Sequence, residues 1–145
     1  MTTWLILAIG ATALLIWLVS RGHTPRMPGN KPPSSAARFV SASGPGDVDR
    51  WLSNSQEAPV WIYLHDPHCP ISRAALKQVE RTALEFELVD VSLQQPISRA
   101  LEARTGVRHE SPQVLLLRGG RASWSASHYG ITESTIANAA QDIKT

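Results

Sequence analysis

The chain has 145 residues, 43% of them hydrophobic and 18% charged, with a formal net charge of +2 and a single cysteine. One cysteine excludes an internal disulfide framework, and the length suits one small domain that builds its core from apolar packing alone. Residues 21–46 carry four basic and no acidic side chains, whereas residues 47–145 carry ten basic and twelve acidic ones, so the folding part lacks the cationic excess that a nucleic-acid partner requires.

In chain order, the first element is an uncharged apolar stretch over residues 3–20, with Trp4 and Trp17 near its ends. About twenty helical residues rising about 1.5 Å each cross roughly 30 Å of hydrocarbon, so this stretch is expected to be one transmembrane helix. A cleaved signal peptide is the competing reading, and it calls for a basic residue ahead of the apolar run; none stands there. Arg21, Arg26, Lys31 and Arg38 follow the stretch, and the positive-inside rule then places the carboxy-terminal part on the cytoplasmic side of the cell membrane. A reducing compartment also suits a lone thiol. Residues 21–46, with Pro25, Pro28, Pro32, Pro33 and Pro45 among glycines and serines, read as a basic, extended linker whose charges suit anionic lipid headgroups. Residues 47–145 are expected to form the folded domain.

Within that domain, Asp47 to about Gln56 places Val48, Trp51 and Leu52 on one helical face, and Val60 to Leu64 is an apolar run of strand length. From Pro70 to about Leu84, Ile71, Ala75, Val79 and Ala83 recur at every fourth position, as on a helix packed against a sheet. Glu87 to Leu93 reads as a second strand and Ile97 to about Arg104 as a helix ended by Gly106. Val114 to Leu117 is apolar, Gly119-Gly120 suits a two-residue hairpin turn, and Ala122, Trp124 and Ala126 alternate with polar residues. Thr132 then caps a last helix bearing Ile136, Ala139, Ala140 and Ile143. A parallel unit followed by an antiparallel hairpin, with helices on both faces, is an α/β layout of thioredoxin type.

Cys69 falls between the apolar strand and the helix that opens with Pro70. Unpaired N–H groups at a helix start favour a thiolate and can bring a cysteine pKa from about 8.5 into roughly the 3.5 to 7.5 range. The thiolate is the form that attacks disulfides, and without a second cysteine any disulfide must be made with another molecule. Two structural alternatives stand beside this reading: Cys69 as a small core residue, and Cys69 with His65, His68 and Asp66 as a metal site, for which the spacing matches no recognised pattern. A resident metal is therefore not expected. Iron–sulfur binding has little support, because Pro70-Ile71 stands where a glycine-containing motif would follow the cysteine.

Three separated segments, Cys69-Pro70-Ile71-Ser72, His109-Glu110-Ser111-Pro112-Gln113-Val114 and Ser127-His128-Tyr129-Gly130-Ile131-Thr132, together resemble the single-cysteine bacilliredoxin-like proteins of the bacillithiol system. The resemblance covers about residues 47 to 143. It implies a thioredoxin fold, no bound cofactor, and a monothiol oxidoreductase whose co-substrate is a low-molecular-weight thiol such as bacillithiol and whose clients are S-thiolated proteins. It implies Cys69 as the nucleophile and Pro112 as a cis-proline facing it, with Ser111 offering its backbone to an extended substrate segment. Ser72 then occupies the place of a resolving cysteine, either as a hydrogen-bond donor to the thiolate or only as a first-turn helix residue. His68 stands where a small hydroxyl residue is expected; protonated, it favours the thiolate, while Asp66 opposes it. His109 and His128 are candidate linings of the thiol pocket or ordinary surface histidines, His65 is expected to be structural, and Asp90 is either a buried carboxylate near the site or a solvated strand end. Two other functions fit the same features: a tethered adaptor that has lost catalysis, and a redox sensor whose cysteine reacts once.

Overall fold

The computed structural model describes residues 36–143. Five strands form one mixed sheet: β1 (Arg38–Ser41), β2 (Val60–His65), β3 (Glu85–Asp90), β4 (Gln113–Arg118) and β5 (Arg121–Ser127). Their order across the sheet is β1-β3-β2-β4-β5. The pairs β1/β3 and β2/β3 are parallel, whereas β2/β4 and β4/β5 are antiparallel. Among the described residues, four α-helices, α1 (Gly46–Asn54), α2 (Pro70–Val79), α3 (Gln95–Thr105) and α4 (Glu133–Gln141), and a short 3-10 helix at His128–Gly130 accompany the sheet.

Strand periodicity sorts the core onto the two faces of the sheet. Ile62, Leu64, Leu115 and Leu117 meet Val48, Trp51 and Leu52 of α1 and Ile97 and Leu101 of α3. Trp61, Tyr63, Val114 and Leu116 meet Ala75 and Val79 of α2 and Ile136 and Ala139 of α4. β2 is apolar without alternation because both of its faces are covered. The second core is rich in aromatic rings, with Trp61 5.9 Å from Trp124 and 5.9 Å from Phe86, centroid to centroid.

The expected linker of residues 21–46 is corrected at its carboxy-terminal end. Arg38–Ser41 is an edge strand in parallel register with β3, pairing Arg38 with Glu85 and Ser41 with Leu88. Phe39 packs on the second core, and Ala42 is buried in the first. The ladder, rather than a hydrophobic pattern, holds this strand. Helix α2 ends at Val79, five residues before the expected Leu84, because the chain turns there: the Thr82 N–H and hydroxyl both donate to the Val79 carbonyl, at 3.0 and 2.8 Å. β3 begins two residues earlier than expected and stops at Asp90, where the Asp90 carboxylate accepts the N–H and hydroxyl of Ser92 and turns the chain away. Among the described residues no helix is long and apolar enough to cross a membrane, and the stretch expected to do so, residues 3–20, lies outside them.

Other local expectations hold. Gly106 takes the left-handed conformation at the end of α3, with φ of 72°. Thr132 caps α4 by accepting the Thr135 N–H, and Thr135 returns a bond to the Thr132 N–H, the reciprocal arrangement of a capping box.

Candidate thiol site

The site lies at the carboxy-terminal end of β2, the central strand, where the chain crosses to α2. Cys69 is the N-cap of α2, with φ −84° and ψ 123°, and Pro70 occupies the first turn. Proline suits this place because its φ is preset for a helix and its missing N–H would have had no partner. Cys69 is a free, half-buried thiol, which sets aside the reading of it as a core residue. Its side chain makes no capping hydrogen bond.

The turn that carries Cys69 is fastened from several sides. The Asp66 carboxylate accepts the His68 N–H at 2.9 Å, and the Asp66 carbonyl accepts the Cys69 N–H at 3.1 Å. Arg73, one turn along α2, donates to the carbonyls of Pro67 and His68 at 3.1 and 3.3 Å. Sequence reasoning missed Arg73, although its spacing of four from Cys69 places it on the same side of the helix.

Beneath the turn, Ser72 is fully buried. Its hydroxyl oxygen accepts the Asp66 N–H at 2.9 Å and lies 2.9 Å from Nδ1 of His65. The Tyr63 hydroxyl donates to the Ser72 carbonyl at 2.9 Å and sits 3.3 Å from the same His65 nitrogen. With the Tyr63 proton used on that carbonyl, the Ser72 proton is left for His65 Nδ1, which assigns the imidazole its Nε2–H tautomer. Burial holds the His65 pKa below its ordinary value, against the opposing pull of Asp90 and Asp66, so the ring is neutral. Burial likewise pushes the Tyr63 phenol above its usual range and keeps it a donor. Ser72 is thus a first-turn helix residue whose hydroxyl is engaged inward, and Tyr63, two positions before His65 on the same strand face, is the member of this cluster that the sequence did not suggest.

The Ser111–Pro112 peptide is cis. The Pro112 carbonyl accepts the His128 N–H at 3.0 Å, and the His128 ring lies 3.6 Å from the Glu110 carboxylate, which ties the segment after β5 to the proline loop. His128 has a positive φ of 50° and is exposed, as is Tyr129. His109 and His128 line different cavities. His109 borders one with Asp66 and Arg99, whereas His128 and Tyr129 border another with Ile71, Ala74 and Ile131. Two buried polar atoms near the loop, His109 Nδ1 and Ser111 Oγ, have no hydrogen-bond partner. His68 is exposed, and Asp90 is half-buried at the end of β3, in register with His65. Among the described residues no group of three or more His, Cys, Asp or Glu side chains is gathered to hold a metal ion.

Fold and site together define a class: a thioredoxin-fold protein with a single thiol at the start of the helix that follows its central strand. Its likeness to solved structures agrees on the fold. A structure described as having a thioredoxin fold is 24% identical, with a TM-score of 0.64, over 70% of this chain and 93% of that one. Thioredoxin from Trypanosoma brucei brucei is 15% identical, with a TM-score of 0.60, over 81% of this chain and 96% of that one. Thioredoxin O1 from Arabidopsis thaliana is 14% identical, with a TM-score of 0.55, over 72% and 96% respectively. The chain belongs to the monothiol bacilliredoxin family, since the family model described as monothiol bacilliredoxin BrxC matches residues 43–136. Membership supports a thiol–disulfide exchange role.

Proposed function

We propose that the protein is a membrane-anchored monothiol exchange protein that removes a low-molecular-weight thiol, bacillithiol or one like it, from the cysteines of client proteins. The observation that carries this reading is the pairing of a free, half-buried Cys69 at the α2 N-cap with a serine at the resolving position whose hydroxyl is engaged elsewhere. The positive end of the α2 dipole favours the anionic charge that an attacking sulfur carries.

In the first step the Cys69 thiolate attacks the small thiol's sulfur in the client's mixed disulfide. A Cys69–small thiol disulfide forms, the old S–S bond breaks, and the client leaves as a thiolate with the bonding pair. In the second step a free small-thiol anion attacks that adduct, giving the symmetric small-thiol disulfide and restoring Cys69. Ser72 cannot take part in either exchange, so the adduct waits for an outside thiol. Ser111, directly before the cis-proline and outside β4, would pair its backbone with an extended client segment. The apolar stretch of residues 3–20 would anchor the domain, and the basic residues after it would keep the domain on the cytoplasmic face.

The test is turnover by the full-length chain in detergent, with a bacillithiol-capped protein and free bacillithiol, followed by mass spectrometry. Many clients freed per chain, and none by Cys69→Ser, is the expected result. One client freed per chain would make the protein a sensor, and no reaction would make it an adaptor; either overturns the enzymatic reading.

A further inference from the structure

A cavity of about 350 Å³ opens beside the Cys69 turn, lined by Asp66, Val91, Ser92, Gln95, Ser98, Arg99 and His109. Three segments build it: the end of β2, the β3–α3 connection with the first turns of α3, and the stretch that leads to the cis-proline. The wall residue Asp66 and the nucleophile share one turn, since the Asp66 carbonyl accepts the Cys69 N–H at 3.1 Å. The volume falls in the range of small-molecule sites, about 300 to 1,000 Å³.

The lining sets a few polar groups, one of them a cation, into otherwise apolar surface. Arg99 is exposed and, among the described residues, has no hydrogen bond or ion pair with protein. The one carboxylate in the wall, Asp66, accepts the His68 N–H through one oxygen. Gln95 brings an amide and His109 a ring edge, while the Ser92 and Ser98 hydroxyls donate to the Asp90 carboxylate and the Gln95 carbonyl and keep oxygens that can accept. The other cavity near the site, lined by Ile71, Ala74, Gln78, Tyr129, Ile131 and Thr132 among others, offers no arginine or lysine.

We propose that this cavity seats the carboxylate- and hydroxyl-bearing portion of the small thiol, with Arg99 as the group that binds its carboxylate. The proposal rests on the exchange reading above and names the site that selects the cap. Its chemical consequence concerns which sulfur is attacked. Attack on the client's sulfur would leave Cys69 bonded to the client and release the small thiol, whereas attack on the small thiol's sulfur frees the client. Holding the cap beside Cys69 directs the thiolate to the second sulfur, with no change in the number of electrons exchanged.

The experiment measures single-turnover release of one fluorescent peptide carrying three different caps, bacillithiol, glutathione or 2-mercaptoethanol, by the full-length chain. Arg99→Ala is expected to slow release from the carboxylate-bearing caps about tenfold or more, the loss of one charge-assisted contact, and to leave the uncharged 2-mercaptoethanol cap unaffected. Arg99→Lys should recover part of the rate, because it keeps the charge without the fork. Equal slowing of every cap, or of none, would overturn the proposed site. No release from any cap by the unmodified chain would instead overturn the exchange reading on which the proposal rests.

Discussion

Beneath Cys69, the Ser72 hydroxyl serves two neighbours at once, the Asp66 N–H and His65 Nδ1. Ser72→Ala would strand both groups in the interior, and a buried polar group left unpaired costs about 1–3 kcal/mol. Urea unfolding of the variant is expected to show a loss of that size. His65 adds a pH dependence. Because burial depresses its pKa in the folded state, the unfolded chain binds the proton more readily, and stability is full above the ordinary histidine pKa of about 6.5. Stability should fall as pH drops below that value, with a slope approaching about 1.4 kcal/mol per pH unit until the folded-state pKa is passed. Denaturation midpoints between pH 7 and pH 5 check this, and His65→Asn should remove that part of the slope. The start of α2 at Cys69-Pro70 was legible because cysteine and proline are local signals, whereas the cis bond before Pro112 was expected only through the family resemblance. The inward engagement of Ser72 was not legible, since it depends on a strand residue seven positions earlier lying across a turn. Arg73 and Arg99 were missed for a similar reason: an exposed arginine has no pattern until the fold shows what it faces.

The elements that read well in the sequence are those whose pattern is set by burial. β2 appeared as an unbroken apolar run because helices cover both of its sides, and the β4–β5 hairpin appeared through its glycine pair. Gly119 and Gly120 have φ of 58° and 74°, the positive values that a two-residue turn with the twist of its flanking strands demands. The turn is also tied to the end of α1, where the Ser55 carbonyl accepts the Gly119 N–H at 2.7 Å and the Ser55 hydroxyl accepts the Gly120 N–H at 3.0 Å. Gly120→Ala would force a side chain into the left-handed region against Gln56. A loss of about 1–2 kcal/mol is expected in thermal or urea unfolding. β1 was invisible to the same kind of reading. Its four residues follow a proline-rich stretch, three of them are exposed, and only Phe39 is partly buried, so no alternation announces a strand that is held by main-chain pairing to β3. The end of α2 was overrun because Ala83 and Leu84 continue the apolar spacing, while the turn at Thr82 depends on a bond back to Val79.

For the whole molecule, the proposed anchor changes where the chemistry occurs rather than its steps. A tether of basic, proline-rich residues would confine exchange to clients near one membrane face and give the domain reach. The orientation is testable through the lone thiol itself. In intact cells a membrane-impermeant maleimide is expected to leave Cys69 unlabelled and to label it after permeabilisation; labelling before permeabilisation would place the domain on the other side, and recovery of the chain in the soluble fraction would remove the anchor. Central to everything is that Cys69 itself takes the small thiol from a client. Intact-mass measurement of the full-length chain after one exposure to a bacillithiol-capped protein tests this most directly. The predicted result is a gain of one bacillithiol mass that maps to Cys69, matched by an equal amount of uncapped client; a chain of unchanged mass beside a client still capped would contradict it.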